Sequence, residues 1–441
     1  MTTKPKVAFI GLGAMGMGMA LHLLDDGFVV SGYDVNPKAL QILEEKGGIA
    51  ASSPRNCATD ASFLVCMVAN AAQTEEVLFT VSTGAVFGLP SNATVILCST
   101  VPPSFPGKVL VKFHVDLARP DVQLVDCPVS GGTVRAAQGK LTILCSGTSE
   151  ALVAAGPVLD SMAETKYEID GGLGSANKVK LVNQHLAGIH IAAAAEAMGL
   201  VASLGLSTKA FHDTVLGSTA TSWMFENRVP HMLADDWTPH SALAIFVKDM
   251  GIVTTEGLVQ GVPLWVASSA EQLYLLGAQM GYDREDDAGV VRVFLPKSPS
   301  LVYSAARAAT SPDDPRTFEL IRCLLEIVHT VAAIEALALG DSLGLSTRDL
   351  VRIISNAAGA SEAFKRASSR IMAGDSTSGP NISETRCMLT DVALLAKKLR
   401  YPLHLAATAL NLYDLALVRG LGSQGVDFHG RDSGKSPWIR T

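Results

Sequence analysis

Short apolar runs alternate with helical stretches over roughly the first third of the chain, and a glycine-bearing or polar turn separates each pair. The run PKVAFI (5–10) predicts a strand; it leads through Gly11-Leu12-Gly13-Ala14-Met15-Gly16 into MGMALHLLDDG, whose helical spacing stops at Gly27. Further apolar strands are predicted at 28–34, 62–70, 93–100, 122–129 and 141–147. Strands that alternate with helices predict an α/β domain with a doubly wound, mainly parallel sheet. From about residue 172 the pattern changes to long Ala/Leu-rich helical periodicity, opening with a segment from Ser175 to Leu204. The expectation is an α/β domain over 1–170 followed by all-α structure.

The helical part repeats itself. The hexapeptide SLGLST stands at 203–208 and again at 342–347, an offset of 139 that also relates His190 to His329, Glu196 to Glu335 and Phe225 to Phe364. Matching apolar periodicity on both sides predicts two tandem helical domains related by internal duplication, at 171–308 and 309–441, with SPDDP (311–315) in the linker. The second copy keeps the packing residues but not the polar ones. At the same offset Lys180 becomes Glu319, Asn183 becomes Arg322 and Gln184 becomes Cys323, while Thr390-Asp391 stands near the position of Lys248. It therefore reads as a degenerate copy, a scaffold.

Composition narrows the classes of partner. Hydrophobic residues make up 48% of the chain and charged residues 17%, with a net charge of −7. The pI near 5.8 gives no footprint for nucleic acid. The N-terminal residues run straight into the first predicted strand, and Glu196, Asp341 or histidines interrupt the longest apolar stretches, so neither a signal peptide nor a membrane span is expected. The expected setting is cytoplasmic. The seven cysteines (57, 66, 98, 127, 145, 323, 387) form no C-x-x-C pair, which predicts reduced, buried thiols and no metal site.

The glycine turn carries the first chemistry. In a strand-turn-helix context Gly11 permits the tight turn, Gly13 lets the backbone approach a pyrophosphate, and Gly16 allows close helix–strand packing. Asp34 ends the second predicted strand, 23 positions after Gly11, where a carboxylate accepts from ribose hydroxyls and repels a 2′-phosphate. These features predict a Rossmann domain that binds NAD in preference to NADP, with Asn36-Pro37 capping the next helix. Strand ends in such sheets collect functional groups, which places Val68-Ala69-Asn70, Ser99-Thr100 and Ser130-Gly131-Gly132 at one rim.

With GLGAMGMGMA (11–20), STVPP (99–103), DCPVSGG (126–132), KLVNQ (180–184) and FVKD (246–249) in place, the sequence resembles the β-hydroxyacid dehydrogenase family over roughly residues 5–295. Segments 186–198 and 222–228 resemble its L-threonate dehydrogenase-like branch. The resemblance implies cofactor contacts at Gly11, Gly13, Ala14, Met15, Gly16, Asp34, Asn36, Val68, Ala69, Asn70, Thr100 and Lys248. It implies that Ser130, Gly131 and Gly132 receive the substrate carboxylate, that Lys248 reaches substrate or nicotinamide ribose, and that Lys180 exchanges the hydroxyl proton. A lysine beside a cationic nicotinamide and partly desolvated is expected to have a lowered pKa. One turn after this lysine the family usually places an Asn; here Gln184 stands there, preceded by Asn183, and the orienting role stays open between them. Trp223, with Phe225 and Arg228, is a candidate for the substrate mouth.

The resulting expectation is NAD-dependent oxidation of a small hydroxy acid such as L-threonate by a monomer or homodimer. The second helical copy is expected to replace a contact that single-copy relatives make between subunits. Reduction of a keto acid, semialdehyde or imine on the same scaffold is the enzymatic alternative, and a non-catalytic nucleotide-binding protein the other. Retention of Lys180 argues against the imine branch. His429, in the Gly- and Ser-rich tail, is expected to be solvated.

Overall fold

A computed structural model describes residues 4–307, 314–375 and 380–425, leaving His429 and the first residues of SPDDP outside the described residues. The chain divides into two compact units, Met1–Lys180 and Leu181–Thr441.

In the first unit, β1 (Lys6–Ile10), β2 (Val29–Tyr33), β3 (Ile49–Ala50), β4 (Phe63–Cys66), β5 (Thr94–Leu97) and β6 (Gln123–Asp126) form a parallel sheet in the order β3-β2-β1-β4-β5-β6. This is the strand order of a dinucleotide-binding Rossmann sheet. All residues of β4 and β5 are buried, because helices cover both faces of such a sheet and favour continuous apolar runs over alternation. The helices are α1 (Ala14–Asp25), α2 (Pro37–Glu45), α3 (Pro54–Ala58), α4 (Ala71–Phe79), α5 (Phe105–Val111), α6 (Gly132–Ala137) and α7 (Ser149–Met162). Separate apolar clusters fill the two faces, one centred on Phe9, Met19 and Leu23, the other on Ile10, Leu64 and Phe113. Five cysteines, at 57, 66, 98, 127 and 145, are buried here, whereas Cys387 is exposed and Cys323 half-buried.

The run at 122–129 is two strands. It breaks at Cys127-Pro128, where proline has no N–H for a ladder, and β7 (Val129–Ser130) joins β8 (Leu141–Cys145) and β9 (Ala163–Glu168) in a second, three-stranded sheet. Strand β9 escaped the sequence reading because its half-buried residues include little apolar bulk.

The second unit is helical: α8 (Ser175–Ser203, entering from the first unit), α9 (Thr208–Val215), α10 (Trp223–Ala234), α11 (Leu243–Gln260), α12 (Trp265–Gln279), α13 (Val291–Phe294), α14 (Leu301–Arg307), α15 (Pro315–Ser342), α16 (Thr347–Ile354), α17 (Glu362–Ala373), α18 (Ile382–Leu399) and α19 (Leu405–Val418). Each helix from α15 to α19 starts 139 or 140 positions after its counterpart among α8 to α12. By length and composition α8 and α15 are apolar enough to cross a membrane, but 94% and 89% of their apolar windows are buried.

The two copies form one unit around a pseudo-twofold axis. His190 and His329, equivalent by the offset, meet edge to face with ring centroids 4.3 Å apart. Ser222 and Ser361, also equivalent, bridge antiparallel. Beside them the Trp223 N–H donates to the Ala360 carbonyl at 2.9 Å, and Glu362 N–H to Thr221 at 3.3 Å. The helix caps cross over as well. Glu196 accepts from the N–H groups of His404, Leu405 and Ala406 at the start of α19, and Glu335 accepts from Val266 and Ala267 at the start of α12. Each copy thus supplies the carboxylate that the other's helix start requires.

Candidate active site

Gly11 ends β1 at φ +96°, and a Cβ there would lie 2.3 Å from the Met67 carbonyl oxygen, so both conformation and space require glycine. At Gly16 an added Cβ would lie 1.9 Å from the Gly11 oxygen. Gly13, by contrast, has nothing within 4 Å of that point. It caps α1 with no side-chain hydrogen bond, and no acid lies in the first turn. Uncapped N–H groups at the positive end of α1, beside open space, fit a pyrophosphate.

Asp34 sits against this turn, its Oδ2 accepting from Leu12 N–H at 2.7 Å and Oδ1 from Asn36 N–H at 2.8 Å. An ionised carboxylate has further lone pairs for ribose hydroxyls. Two candidates are helix caps, as Asn36 accepts from Lys38 N–H and Asn70 from Gln73 N–H. Ala14 and Ala69 are exposed, and Met15, Val68 and Thr100 half-buried. Ser99 Oγ donates to Val68 O at 2.7 Å and accepts from Val68 N–H at 3.1 Å, tying the ends of β4 and β5 together.

Lys180 is 7% exposed. Its Nζ donates to Val129 O and to Ser130 Oγ, both at 3.0 Å. Gly131 (φ +138°) and Gly132 (φ +73°) follow as exposed residues, and nothing lies within 4 Å of a Cβ at Gly132. The start of α8, which carries Lys180, hangs on Asp126 at the end of β6. That carboxylate accepts from the Asn177 backbone and side-chain amides and from Ser146 Oγ, while Asn177 Oδ1 accepts from Val101 N–H at 3.0 Å. Burial pushes the Asp126 carboxyl up to about 7 against these donors. The first unit extends to Lys180.

In the second unit the side chains of Asn183, Gln184 and Asp249 are linked. Asn183 Nδ2 donates to Gln184 Oε1 at 3.0 Å, and Gln184 Nε2 donates to Asp249 Oδ2 at 2.6 Å. Lys248 Nζ lies 2.9 Å from Asp249 Oδ1.

Comparison with known proteins decides what this arrangement belongs to. A family model for the NAD binding domain of 6-phosphogluconate dehydrogenase matches residues 6–172. A second, for the NAD-binding domain of NADP-dependent 3-hydroxyisobutyrate dehydrogenase, matches twice, at 174–294 and 316–428. The chain belongs to the β-hydroxyacid dehydrogenase family. This dehydrogenase is 41% identical to L-threonate dehydrogenase of Cupriavidus necator over 288 residues, 65% of the chain and 95% of that protein. It is 39% identical to the Escherichia coli L-threonate dehydrogenase over 291 residues, 65% of the chain and 94% of the relative. A Salmonella typhimurium structure titled 3-hydroxyisobutyrate dehydrogenase superposes with a TM-score of 0.61 at 39% identity, covering 66% of this chain and all of that one. The dehydrogenase is thus an oxidoreductase acting on a hydroxyl group, with an NAD(P)-binding domain.

Phe225 is fully buried and stacks on His212, and Arg228 is buried and pairs with Asp287. Trp223 alone of that trio is exposed, at 43%. The motifs assign no role to Asp126 or Asn177. Asp126 and Asp249 do stand inside the DCPVSGG and FVKD motifs, and for Asp126 an acid ending an apolar strand is the available signal.

Proposed function

We propose that the dehydrogenase oxidises a small hydroxy acid, a four-carbon sugar acid of the L-threonate kind, with NAD. The observation that carries this reading is the buried Lys180 amine against Ser130 Oγ, in a chain about 40% identical to two L-threonate dehydrogenases. Ser130 and the Gly131–Gly132 backbone hold the substrate carboxylate. Lys180, as the neutral amine, takes the hydroxyl proton while the C–H bond breaks and the carbonyl forms. NAD, held by the Gly11–Gly16 turn and Asp34, supplies the hydride acceptor. Asp34 favours NAD over NADP by accepting from ribose hydroxyls and repelling an added phosphate. Ser99 and the Asp126–Asn177 pair keep the cofactor rim and Lys180 in place.

A screen of hydroxy acids of roughly three to six carbons, followed by NADH absorbance, tests the reading. L-threonate is expected among the substrates. Absence of turnover with every acid, with either coenzyme, overturns it.

A further inference from the structure

The hydrogen bonds of Asn183 and Gln184 begin and end on groups whose polarity is fixed. At one end Asp249, 1% exposed and paired with Lys248, accepts only, so Gln184 must turn Nε2 toward it. Gln184 Oε1 then faces Asn183 and must receive Nδ2. At the other end the Asn183 Oδ1 accepts from the backbone N–H of Gly359 at 2.9 Å, a group that only donates. Both amides are therefore oriented from outside themselves.

Gly359 belongs to the second helical copy, in the loop between α16 and α17. That loop is pinned by the Ser222–Ser361 bridge and by Ala360 O accepting from Trp223 N–H. A Cβ at Gly359 would lie 2.9 Å from the Asn183 carbonyl oxygen, 3.0 Å from its Oδ1 and 3.1 Å from Leu186 Cβ. The pseudo-symmetric position carries no such amide. Where Asn183 would recur stands Arg322, bonded to Glu319, Glu326 and the Thr219 hydroxyl.

We infer that the second copy serves the reaction: the Gly359 N–H, acting through Asn183, sets Gln184 so that its remaining amide proton meets an acceptor oxygen of the hydroxy acid. The inference rests on the proposed function and divides the two candidates. Gln184, the more exposed at 8% against 2%, touches substrate, and Asn183 is a positioning residue behind it. Each amide nitrogen uses one proton among the described residues. Gln184 Nε2 therefore has a second N–H to offer, which suits a carboxylate or hydroxyl oxygen.

The test compares wild type with Asn183→Asp and Gly359→Ala, measuring kcat, KM for L-threonate, NAD affinity and melting temperature. Asn183→Asp is nearly isosteric and still accepts from Gly359, but its carboxylate cannot donate to Gln184 Oε1. It is expected to raise KM about tenfold or more near pH ~8, with NAD affinity within about twofold, and to recover toward pH ~5 as the carboxyl regains a proton. Gly359→Ala is expected to raise KM without that recovery. Wild-type KM is expected to show no such acid recovery. Unchanged KM in both variants, or an Asn183→Asp defect independent of pH and matched by melting temperature alone, overturns the inference. If wild type is active and the variants match it, only the positioning role fails; if wild type oxidises no hydroxy acid, the proposed function fails and takes the inference with it.

Discussion

The two imidazoles on the pseudo-twofold axis make a prediction about pH. His190 and His329 are fully buried, and neither ring nitrogen of either has a hydrogen-bond partner among the described residues. Burial lowers His329 to about 3. It lowers His190 well below its usual value, aided by His329 and His185. A base depressed in the folded state gives stability that is complete above its unfolded value of 6.5 and is lost as pH falls below it. At pH ~5 the unfolded His329 is protonated and the folded one is not; a gap of about 1.5 pH units is worth ~2 kcal/mol. His190 acts in the same direction. Asp126 and Glu196, both raised to about 7 by burial, act oppositely, stabilising the fold as pH falls toward 4. A comparison with His329→Leu cancels them. In urea unfolding followed by far-ultraviolet circular dichroism, wild type is expected to lose ~2 kcal/mol more than His329→Leu between pH ~7.5 and ~5. The variant is expected to be no less stable at neutral pH, since it removes unsatisfied polar atoms. Parallel pH curves for the two proteins would refute the argument.

Lys180→Ala is expected to lower turnover on the order of a hundredfold or more while leaving NAD affinity nearly unchanged, and Lys180→Arg to fail likewise because a guanidinium stays protonated; steady-state kinetics with calorimetric titration checks both. NAD is expected to bind about tenfold more tightly than NADP, a preference that Asp34→Ser should erase in the same titration. Glu335→Ala strands the Val266 and Ala267 N–H groups, and a loss of about 2 to 4 kcal/mol is expected in denaturant unfolding. Truncation after Arg307 exposes the apolar face that α15 covers, and light scattering is expected to show aggregation or new dimers, with activity falling.

The sheet was legible because its strands are covered on both faces, so the runs at 5–10, 62–70 and 93–100 stand out against their turns. The glycine turn was legible because steric demands at Gly11 and Gly16 are local. Lys180 and Ser130 came from motifs, and the structure brings them within 3.0 Å of each other. Gly359 could not be found that way. Its role depends on meeting a residue 176 positions away, and a backbone N–H leaves no mark on residue type. The crossed caps had half a signal: Glu196 and Glu335 share the 139 offset, but nothing in the sequence says that each serves the other's copy. Cys127-Pro128 was misread because apolar residues continue through the break while the ladder cannot.

Joining two copies in one chain also changes what mutation can do. In a twofold dimer every substitution arrives twice, once on each side of the axis, so a residue useful on one side must be tolerable on the other. A tandem chain lifts that condition. Positions that meet their own counterparts, such as His190 with His329, are coupled through contact and are identical in type, as are the reciprocal Glu196 and Glu335. Positions that meet something else can differ: Asn183 faces Gly359, while its counterpart Arg322 is bonded to Glu319 and Glu326. One half can therefore carry residues that the other lacks, an asymmetry closed to a protein made of identical subunits.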